Sequence, residues 1–279
     1  MNTTALQTEI KRLYKLPAAD LPSNTADVVA ELRQRLTAGD VRAAEPSDDG
    51  WTVNDWVKMG ILLGFRAGQI EDFSINPQFP FFDKATLPPR LLTRDDGVRV
   101  VPGGSSIRDG AFVGRGVVCM PPMFVNVGAY VGEGTMIDSH ALVGSCAQIG
   151  RNVHLSAGVQ IGGVLEPIGA MPVIVEDDAL VGGNCGVYEA TIVGAEAVLA
   201  PGTILTKSTP IYDLVNDKII RSTADTPLVV PSRAVVVAGS RPAKGEAAIR
   251  QGVHLYTPVI VKYRDPGTDA ALELEEALR

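Results

Sequence analysis

The sequence is poor in several residue types, and each shortage excludes a class of protein. Its 279 residues include three cysteines and three histidines, and aromatic residues make up only 5%. Three cysteines are too few for a disulfide-stabilised secreted scaffold, so we interpret them as buried thiols of a reducing compartment. Because phosphate-binding surfaces need clustered basic residues, the net charge of −7 argues against a nucleic-acid partner.

Long apolar runs and a secretion signal are also lacking. No apolar stretch approaches the roughly 20 residues that span a bilayer, so we expect no membrane partner. The first fifteen residues, MNTTALQTEIKRLYK, include a glutamate and lack an apolar core segment. We therefore do not expect a signal peptide, and we expect a cytoplasmic protein.

What the sequence does have is a six-residue repeat in its middle third. An aliphatic residue, or in one case a cysteine, recurs at seventeen positions, and a small residue often follows four positions later. This pattern is typical of a parallel β-helix, a triangular prism in which three hexapeptides form each coil. Neither an α-helix nor an alternating strand would keep this period for so long. The recurring residues are Val101, Ile107, Val113, Cys119, Val125, Val131, Ile137, Val143, Ile149, Leu155, Ile161, Val175, Val181, Val187, Val193, Leu199 and Leu205.

The repeat is interrupted once, between Ile161 and Val175, where its register shifts by two residues. Pro167 and Pro172 lie in this interruption, and proline disrupts the stacking of strands. The sequence therefore predicts a loop over residues 163–174 that leaves the prism. Loops on rigid scaffolds often carry functional residues.

Three regions are predicted along the chain. Residues 1–98 form a helical N-terminal domain and a proline-rich connector, because apolar residues recur there with helical spacing. Residues 99–206 form the β-helix. Residues 207–279 form β-prone C-terminal strands and a terminal helix from about Asp269. The flanking regions cover the open ends of the prism, where exposed strand edges would otherwise pair with other chains.

The residues carried by the repeat are more specific than its period. Residues 128–138 read GAYVGEGTMID, and residues 143–150, 152–156 and 162–167 continue the pattern, as do residues 62–66 and 234–239 outside the prism. These segments resemble the tetrahydrodipicolinate N-succinyltransferase family of lysine and diaminopimelate biosynthesis. The resemblance runs over most of the chain.

The resemblance implies a mainly β protein, with a left-handed parallel β-helix between a helical N-terminal domain and a small β-rich C-terminal domain. It implies transfer of a succinyl group from succinyl-CoA to the amine of tetrahydrodipicolinate, with CoA leaving and no metal required. It also implies a homotrimer whose active sites lie between subunits and bind small-molecule substrates. A prism has closed, flat faces, so a cleft requires a second surface.

Two residues are candidates for contact with the amine substrate. Asp138 directly follows an inward Ile137, so it lies at a prism corner, where an aspartate can also simply stabilise a turn. The resemblance implies that Asp138 contacts the substrate and helps deprotonate or orient its amine, since an ammonium is not a nucleophile. The resemblance likewise implies that Arg99 binds a substrate carboxylate, although an ordinary surface arginine is the alternative.

A second catalytic carboxylate is harder to assign. The family has an Arg-Ser-Glu segment where this chain has Asn184, Cys185 and Gly186. Glu189, three residues further on, is therefore a second catalytic candidate, and a solvated corner glutamate is the alternative. Otherwise the chemistry depends on Asp138 alone.

Contacts to CoA are expected along one edge of the prism. We predict that backbone amides near Gly183 and Ala200 bind it and that Lys262 meets its phosphates. Other polar residues have simpler interpretations. Glu166 in the loop could approach the cleft, but a loop glutamate is more often solvated. His140 and His154 pack at the surface or in the cleft rather than act as bases.

Three other functions remain open at the level of sequence. A tetrahydrodipicolinate N-acetyltransferase would share the GTMID motif and use acetyl-CoA. A metal enzyme of the carbonic-anhydrase type would need three histidines on neighbouring coils, whereas the prism contains only His140 and His154. A non-enzymatic assembly scaffold would have the same repeat and no activity.

Overall fold

A computed structural model of the chain describes residues 1–48 and 50–265. Its N-terminal part contains three α-helices, α1 (Thr3–Tyr14), α2 (Thr25–Ala38) and α3 (Asp55–Ala67), and a 3-10 turn at Ala18–Asp20. The Asn2 side chain accepts a hydrogen bond from the Ala5 amide and caps α1. Helix α2 ends at Gly39, whose left-handed backbone (φ 80°) is the common helix C-terminal conformation.

The three helices bury a single apolar core, and that core extends to the prism. Leu6, Ile10, Leu32 and Ile61 are all at most 1% exposed. Gly60 allows α3 to approach its neighbours, because a Cβ atom there would lie 2.3 Å from Cδ2 of Leu32. The same cluster includes Val127 and Cys146 of the prism, so the domain is fixed to the prism by hydrophobic burial. It also includes Leu13, Val28, Val29, Leu36, Trp56, Val57, Leu63 and Leu87.

Two hairpins that the sequence pattern did not indicate link the helices to the prism. Ala44–Ser47 pairs with Gly50–Val53, and Ile70–Asp72 pairs with Phe82–Lys84, both antiparallel. A 3-10 turn at Arg94–Asp96 follows, and the Thr93 and Asp96 side chains form a capping box around it. These strands are only three or four residues long, which is too short for a clear alternation of apolar residues.

The prism has three faces, each a sheet of parallel strands, and each face contributes one short strand to every coil. The first face contains Phe112–Val113, Tyr130–Val131, Gln148–Ile149, Ile174–Val175, Thr191–Val193 and Leu228–Val230. The second face contains Arg99–Val100, Val118–Cys119, Met136–Ile137, His154–Leu155, Leu180–Val181 and Val198–Leu199. The third face contains Ser106–Ile107, Phe124–Val125, Leu142–Val143, Gln160–Ile161, Gly186–Val187 and Ile204–Leu205.

The predicted repeat positions from Ile107 onward form the interior of the prism. Each of these aliphatic residues, like Cys119, is at most 6% exposed, and successive coils stack them in register. The first position was predicted wrongly by one residue. Val100 rather than Val101 pairs with Cys119, because seven residues instead of six connect Val100 to Ile107.

Two corners of the prism matter for the site. The Asp138 corner joins the second face to the third and comprises residues 120–123, 138–141, 156–159, 182–185 and 200–203. The loop corner joins the third face to the first and comprises residues 108–111, 126–129, 144–147, 162–173 and 188–190. The corner residues that directly follow a strand connect one face to the next.

The interruption of the repeat is a loop at the loop corner. Residues 162–173 connect the strand Gln160–Ile161 to Ile174–Val175, so Ile174 belongs to a strand rather than to the loop. Fourteen residues separate Ile161 from Val175 where a regular corner needs six, which makes eight additional residues. Eight residues are one six-residue period plus two, so the insertion shifts the register of the repeat by only two residues.

The C-terminal part extends the second face. Ala234–Pro242 stacks on Val198–Leu199 and pairs antiparallel with His254–Tyr263, and a short helix α4 (Glu246–Gln251) joins these two strands. Ile211–Asp213 and Lys218–Ile220 complete the sheet. The terminal helix predicted from about Asp269 lies outside the described residues. Within the described ranges, no helix is long and apolar enough to cross a membrane.

Candidate active site

Asp138 lies at the corner where the sequence placed it. Its backbone amide donates to the Leu155 carbonyl (2.9 Å), which fixes the residue at the end of its strand. One carboxylate oxygen, Oδ1, accepts a hydrogen bond from the Ser139 amide at 2.7 Å. The other oxygen makes no hydrogen bond to any residue that the structure describes. The half-buried carboxylate is therefore oriented by its own turn and retains one oxygen for a ligand.

Gly183 lies on the same corner as Asp138, two coils away. Because stacked coils are about 4.8 Å apart, the two residues are separated by about 10 Å along the prism. The Gly183 carbonyl accepts from the Gly202 amide (2.9 Å), whereas its own amide donates to no other residue in the described part of the chain. This amide is available to a ligand that runs along the corner.

Ala200, one coil beyond Gly183, does not offer its amide. That amide donates to the Val236 carbonyl at 2.8 Å, because the C-terminal strand adds a further layer to the second face. The Ala200 amide is therefore engaged within the chain, and the CoA contact expected near Ala200 stays a prediction. Its carbonyl is also occupied, since it accepts from Cys185 Sγ (3.1 Å) and Thr203 Oγ1 (2.7 Å).

Arg99 lies on the second face at the other end of the prism. Arg99 pairs with Val118, and Val118 pairs with Met136 on the next coil. Arg99 therefore lies two coils before the strand that precedes Asp138. Its amide donates to the Val117 carbonyl (2.9 Å), and its exposed guanidinium bonds to none of the residues described. Arg99, Asp138 and Gly183 thus follow one another along the same side of the molecule.

Glu189 is not part of this row. It is exposed at the loop corner, on the opposite edge of the third face from Asp138. Its carboxylate makes no hydrogen bond to a described residue. One chain therefore does not bring the two predicted catalytic carboxylates together, since the third face separates them.

Lys262 lies beyond the last coil of the second face. Its strand pairs it with Val235, which in turn pairs with Val198. The exposed ammonium lies 3.4 Å from the Asp265 carboxylate. Lys262 is therefore near the end of the Asp138 corner, but an acidic neighbour partly neutralises it.

Of the polar residues that were given simple interpretations, His140 and Glu166 are exposed and His154 is half-buried. His140 is exposed at the Asp138 corner, with φ 61°, and its amide donates to the Pro122 carbonyl. His154 lies on the second face, paired with Met136 and Leu180 on the neighbouring coils. Glu166 is exposed in the loop.

The cysteines are structural. Cys119, Cys146 and Cys185 are 0% exposed and unpaired. Burial raises the pKa of the Cys119 and Cys146 thiols to about 12, and it also raises the pKa of Cys185. Since the thiolate is the reactive form, these side chains are poor nucleophiles near neutral pH.

A cleft of about 520 Å³ lies on the far side of the prism, between the Ala44–Val53 hairpin and the first face. The Arg42 guanidinium stacks 3.7 Å from the Tyr130 ring centroid, and its Nε donates to Gln148 Oε1 at 2.9 Å. Trp51 Nε1 donates to Glu176 at 3.0 Å. These contacts attach the hairpin to the prism, and none of the predicted site residues lines the cleft.

Lys58 is a buried charged residue that was not among the predicted site residues. It is 0% exposed on α3, and its ammonium donates to the Ala170 carbonyl of the loop. Burial lowers the pKa of Lys58. In the sequence, the only sign that this lysine is buried is its position in an otherwise apolar helix segment.

Comparison with known proteins covers all three parts of this architecture. A model named tetrahydrodipicolinate N-succinyltransferase N-terminal matches residues 5–67. A bacterial transferase hexapeptide model matches residues 128–163, and a hexapeptide repeat of succinyl-transferase matches residues 172–207.

Three relatives named 2,3,4,5-tetrahydropyridine-2,6-dicarboxylate N-succinyltransferase align over most of their length. The protein of Cereibacter sphaeroides is 40% identical over 100% of both chains. That of Idiomarina loihiensis is 42% identical, over 91% of this chain and 89% of its own. That of a Methylobacterium species is 44% identical, over 88% and 86%. The chain belongs to the tetrahydrodipicolinate N-succinyltransferase family.

Membership of this family agrees with the predicted fold class. The chain is mainly β, a left-handed parallel β-helix with a helical N-terminal domain and a small β-rich C-terminal part. Within residues 1–48 and 50–265, no group of three or more His, Cys, Asp or Glu side chains is arranged to hold a metal ion.

Proposed function

We propose that this protein transfers the succinyl group of succinyl-CoA to the amine of ring-opened tetrahydrodipicolinate, in lysine and diaminopimelate biosynthesis. The observation that carries the proposal is the identity of about 40% to named N-succinyltransferases over nearly the whole chain. This range includes the helical domain, the prism and the C-terminal strands. A shared repeat alone would support only the fold.

The proposed reaction is a direct acyl transfer. The amine nitrogen attacks the thioester carbonyl carbon, a C–N bond forms, and the C–S bond breaks to release CoA. The amine must first lose the proton of its ammonium form, and the leaving thiolate takes up a proton. We assign the first proton to the Asp138 oxygen that does not bond to the Ser139 amide, since it is oriented and accessible.

Binding of both substrates is assigned to the same side of the prism. The Arg99 guanidinium can bind one carboxylate of the dicarboxylate substrate with two parallel hydrogen bonds. The Gly183 amide can donate to succinyl-CoA along the Asp138 corner. Lys262 is assigned to its phosphates. Glu189 can act only in a cleft to which another subunit contributes, because it lies on a different corner from Asp138 in its own chain.

We further propose a homotrimer with its active sites between subunits. The Asp138 corner is a convex edge, so a single chain offers its row of residues without a cleft. The outward residues of the second and third faces are mostly apolar and half-buried, which suits packing against another subunit. They include Val118, Met136, Leu180 and Val198 on the second face, and Phe124, Leu142 and Ile204 on the third.

A cytoplasmic location is part of the proposal. The three unpaired thiols suit a reducing compartment.

The donor can be tested directly. Purified protein is mixed with tetrahydrodipicolinate or 2-aminopimelate, and thiol release is followed with succinyl-CoA and with acetyl-CoA. We expect succinyl-CoA to give the higher kcat/KM. Faster turnover with acetyl-CoA would establish the N-acetyltransferase alternative, and no thiol release with either donor would leave the assembly scaffold as the better description.

A further inference from the structure

Tyr188 is the first residue after the third-face strand Gly186–Val187, and its ring folds back over that strand. A Cβ atom at Gly186 would lie 2.6 Å from Cε2 of Tyr188 and 3.0 Å from its Cζ and hydroxyl oxygen. A Cβ atom at Gly162, on the preceding coil, would lie 3.1 Å from Cδ1. A side chain at Gly186 would therefore displace the ring, and the ring also lies close against Gly162.

The ring fills a gap in a row of outward side chains. On the third face, Leu142, Gln160, Gly186 and Ile204 stack in register on successive coils. Gly186 has no side chain, so the Tyr188 ring covers its place. Because the hydroxyl lies close to Gly186 rather than near the loop corner, the phenol points across the third face toward the Asp138 corner.

The hydroxyl has no hydrogen-bond partner within residues 1–48 and 50–265, although Tyr188 is half-buried. Its polar neighbour in the row, Gln160, is already engaged, since its amide donates to the carbonyls of His140 (3.3 Å) and Gly158 (3.2 Å). A phenol usually has a hydrogen-bond partner when it is covered. The third face is covered in the trimer proposed above, and a ligand in the cleft would supply the hydroxyl with a partner.

We propose that Tyr188 is a substrate-contacting residue, whose hydroxyl donates a hydrogen bond to a carboxylate or carbonyl oxygen of the bound substrates. This inference rests on the proposed acyl transfer. The outward row from Leu142 to Ile204 contains no charged side chain. The Tyr188 hydroxyl is therefore the group that can donate a hydrogen bond from this row to an oxygen atom of a ligand. Tyr188 thereby places a polar group of the third face near the Asp138 corner, which Glu189 does not reach in its own chain.

A pair of variants separates the hydroxyl from the ring. Tyr188→Phe keeps the ring over both glycines and removes only the hydroxyl, so it should preserve the melting temperature and the oligomer. We expect kcat/KM for succinyl transfer to fall by about tenfold, which corresponds to the loss of a hydrogen bond worth about 1.4 kcal/mol. The KM values of the two substrates, measured separately, identify the one whose oxygen accepts the bond.

Gly186→Ala tests the position of the ring with the hydroxyl retained. The new Cβ atom must displace the ring, so we expect a loss of similar size. Tyr212→Phe is the matched control: Tyr212 is a half-buried phenol in the C-terminal sheet, and its loss should leave kcat/KM unchanged.

The outcomes distinguish this inference from the function on which it rests. An active wild type together with a Tyr188→Phe variant within twofold of it would overturn the role of Tyr188 and leave the acyl transfer intact. Absence of turnover by the wild type with either donor would overturn both. If Tyr188→Phe melts at a lower temperature than wild type, the Gly186→Ala variant decides whether the position of the ring matters. A wild-type kcat/KM in Gly186→Ala would overturn the inference.

Discussion

Asp138 has two carboxylate oxygens in different surroundings, and this difference defines its proposed role. The Ser139 amide holds one oxygen at 2.7 Å, which fixes the plane of the carboxylate. The remaining oxygen is the one that can accept a proton or a hydrogen bond from an amine. The same residue therefore stabilises its own turn and keeps one oxygen for the proposed role.

Replacing Asp138 by Asn should separate these two roles. The amide oxygen of Asn can still accept from Ser139, so we expect the corner, the oligomer and the melting temperature to be preserved. Because Asn cannot take a proton from the amine, kcat should fall by about 100-fold or more. Steady-state thiol release and thermal melting measure the two effects.

Asp178→Asn is the matched control, because Asp178 is an exposed corner aspartate between the first and second faces. It should retain wild-type kcat. Near-wild-type activity of Asp138→Asn would remove Asp138 from the proton transfer.

The position of the loop depends on contacts with distant parts of the chain. Its residues leave the prism at the loop corner, and the buried Lys58 ammonium of α3 binds the Ala170 carbonyl. The amide of Ala190, next to Glu189, donates to the Met171 carbonyl at 3.3 Å. The N-terminal domain therefore holds the loop against the corner that carries Tyr188 and Glu189.

Lys58 should make stability depend on pH in a predictable direction. Burial lowers its pKa in the folded protein, so between that pKa and the unfolded value of about 10.4 the unfolded chain binds more protons. The free energy of unfolding from this group must then rise with pH across that window, by up to about 1.4 kcal/mol per pH unit. Lys58→Met keeps the side-chain length and removes this dependence.

Urea unfolding of wild type and Lys58→Met at several pH values from about 8 to 10 measures the difference. We expect wild type to gain stability relative to the variant as the pH rises. Lys84→Met removes a half-exposed ammonium that donates to the Gly68 carbonyl (2.9 Å), so it controls for the loss of an amine–carbonyl bond. Parallel curves for wild type and Lys58→Met would contradict the assignment.

At the scale of the whole molecule, the arrangement of the three faces favours assembly. The helical domain packs on Val127 and Cys146 of the loop corner, and the Ala44–Val53 hairpin lies over part of the first face. The second and third faces, which meet at the Asp138 corner, keep their apolar outward rows accessible. Packing these two faces against copies of the chain would bury apolar surface and enclose the row of site residues.

Light scattering should give three times the chain mass of 29.5 kDa, about 89 kDa. Leu142→Glu places a charge in the third-face row, so we expect it to dissociate the trimer and abolish turnover together. Val229→Glu, on the outer side of the first face, should leave both unchanged. A monomeric wild type at micromolar concentration, or a monomeric Leu142→Glu variant with full activity, would exclude a shared site.

The sequence by itself determined the prism and the position of Asp138. A six-residue period places each aliphatic residue inside and the residue after it at a corner, and these relations are local, so they can be read from consecutive residues. The apolar spacing likewise predicted the helical N-terminal domain. The one-residue error at Val101 occurred at the end of the repeat, where only a single neighbouring coil fixes the register.

Only the tertiary structure decided which side chains and amides face the site. The Ala200 amide is occupied because a strand 36 residues later stacks on its coil, and Glu189 is separated from Asp138 by the width of a face. The place of Tyr188 depends on two glycines, one of them on the preceding coil. These features depend on one added strand and on the course of single side chains, which a six-residue period does not encode.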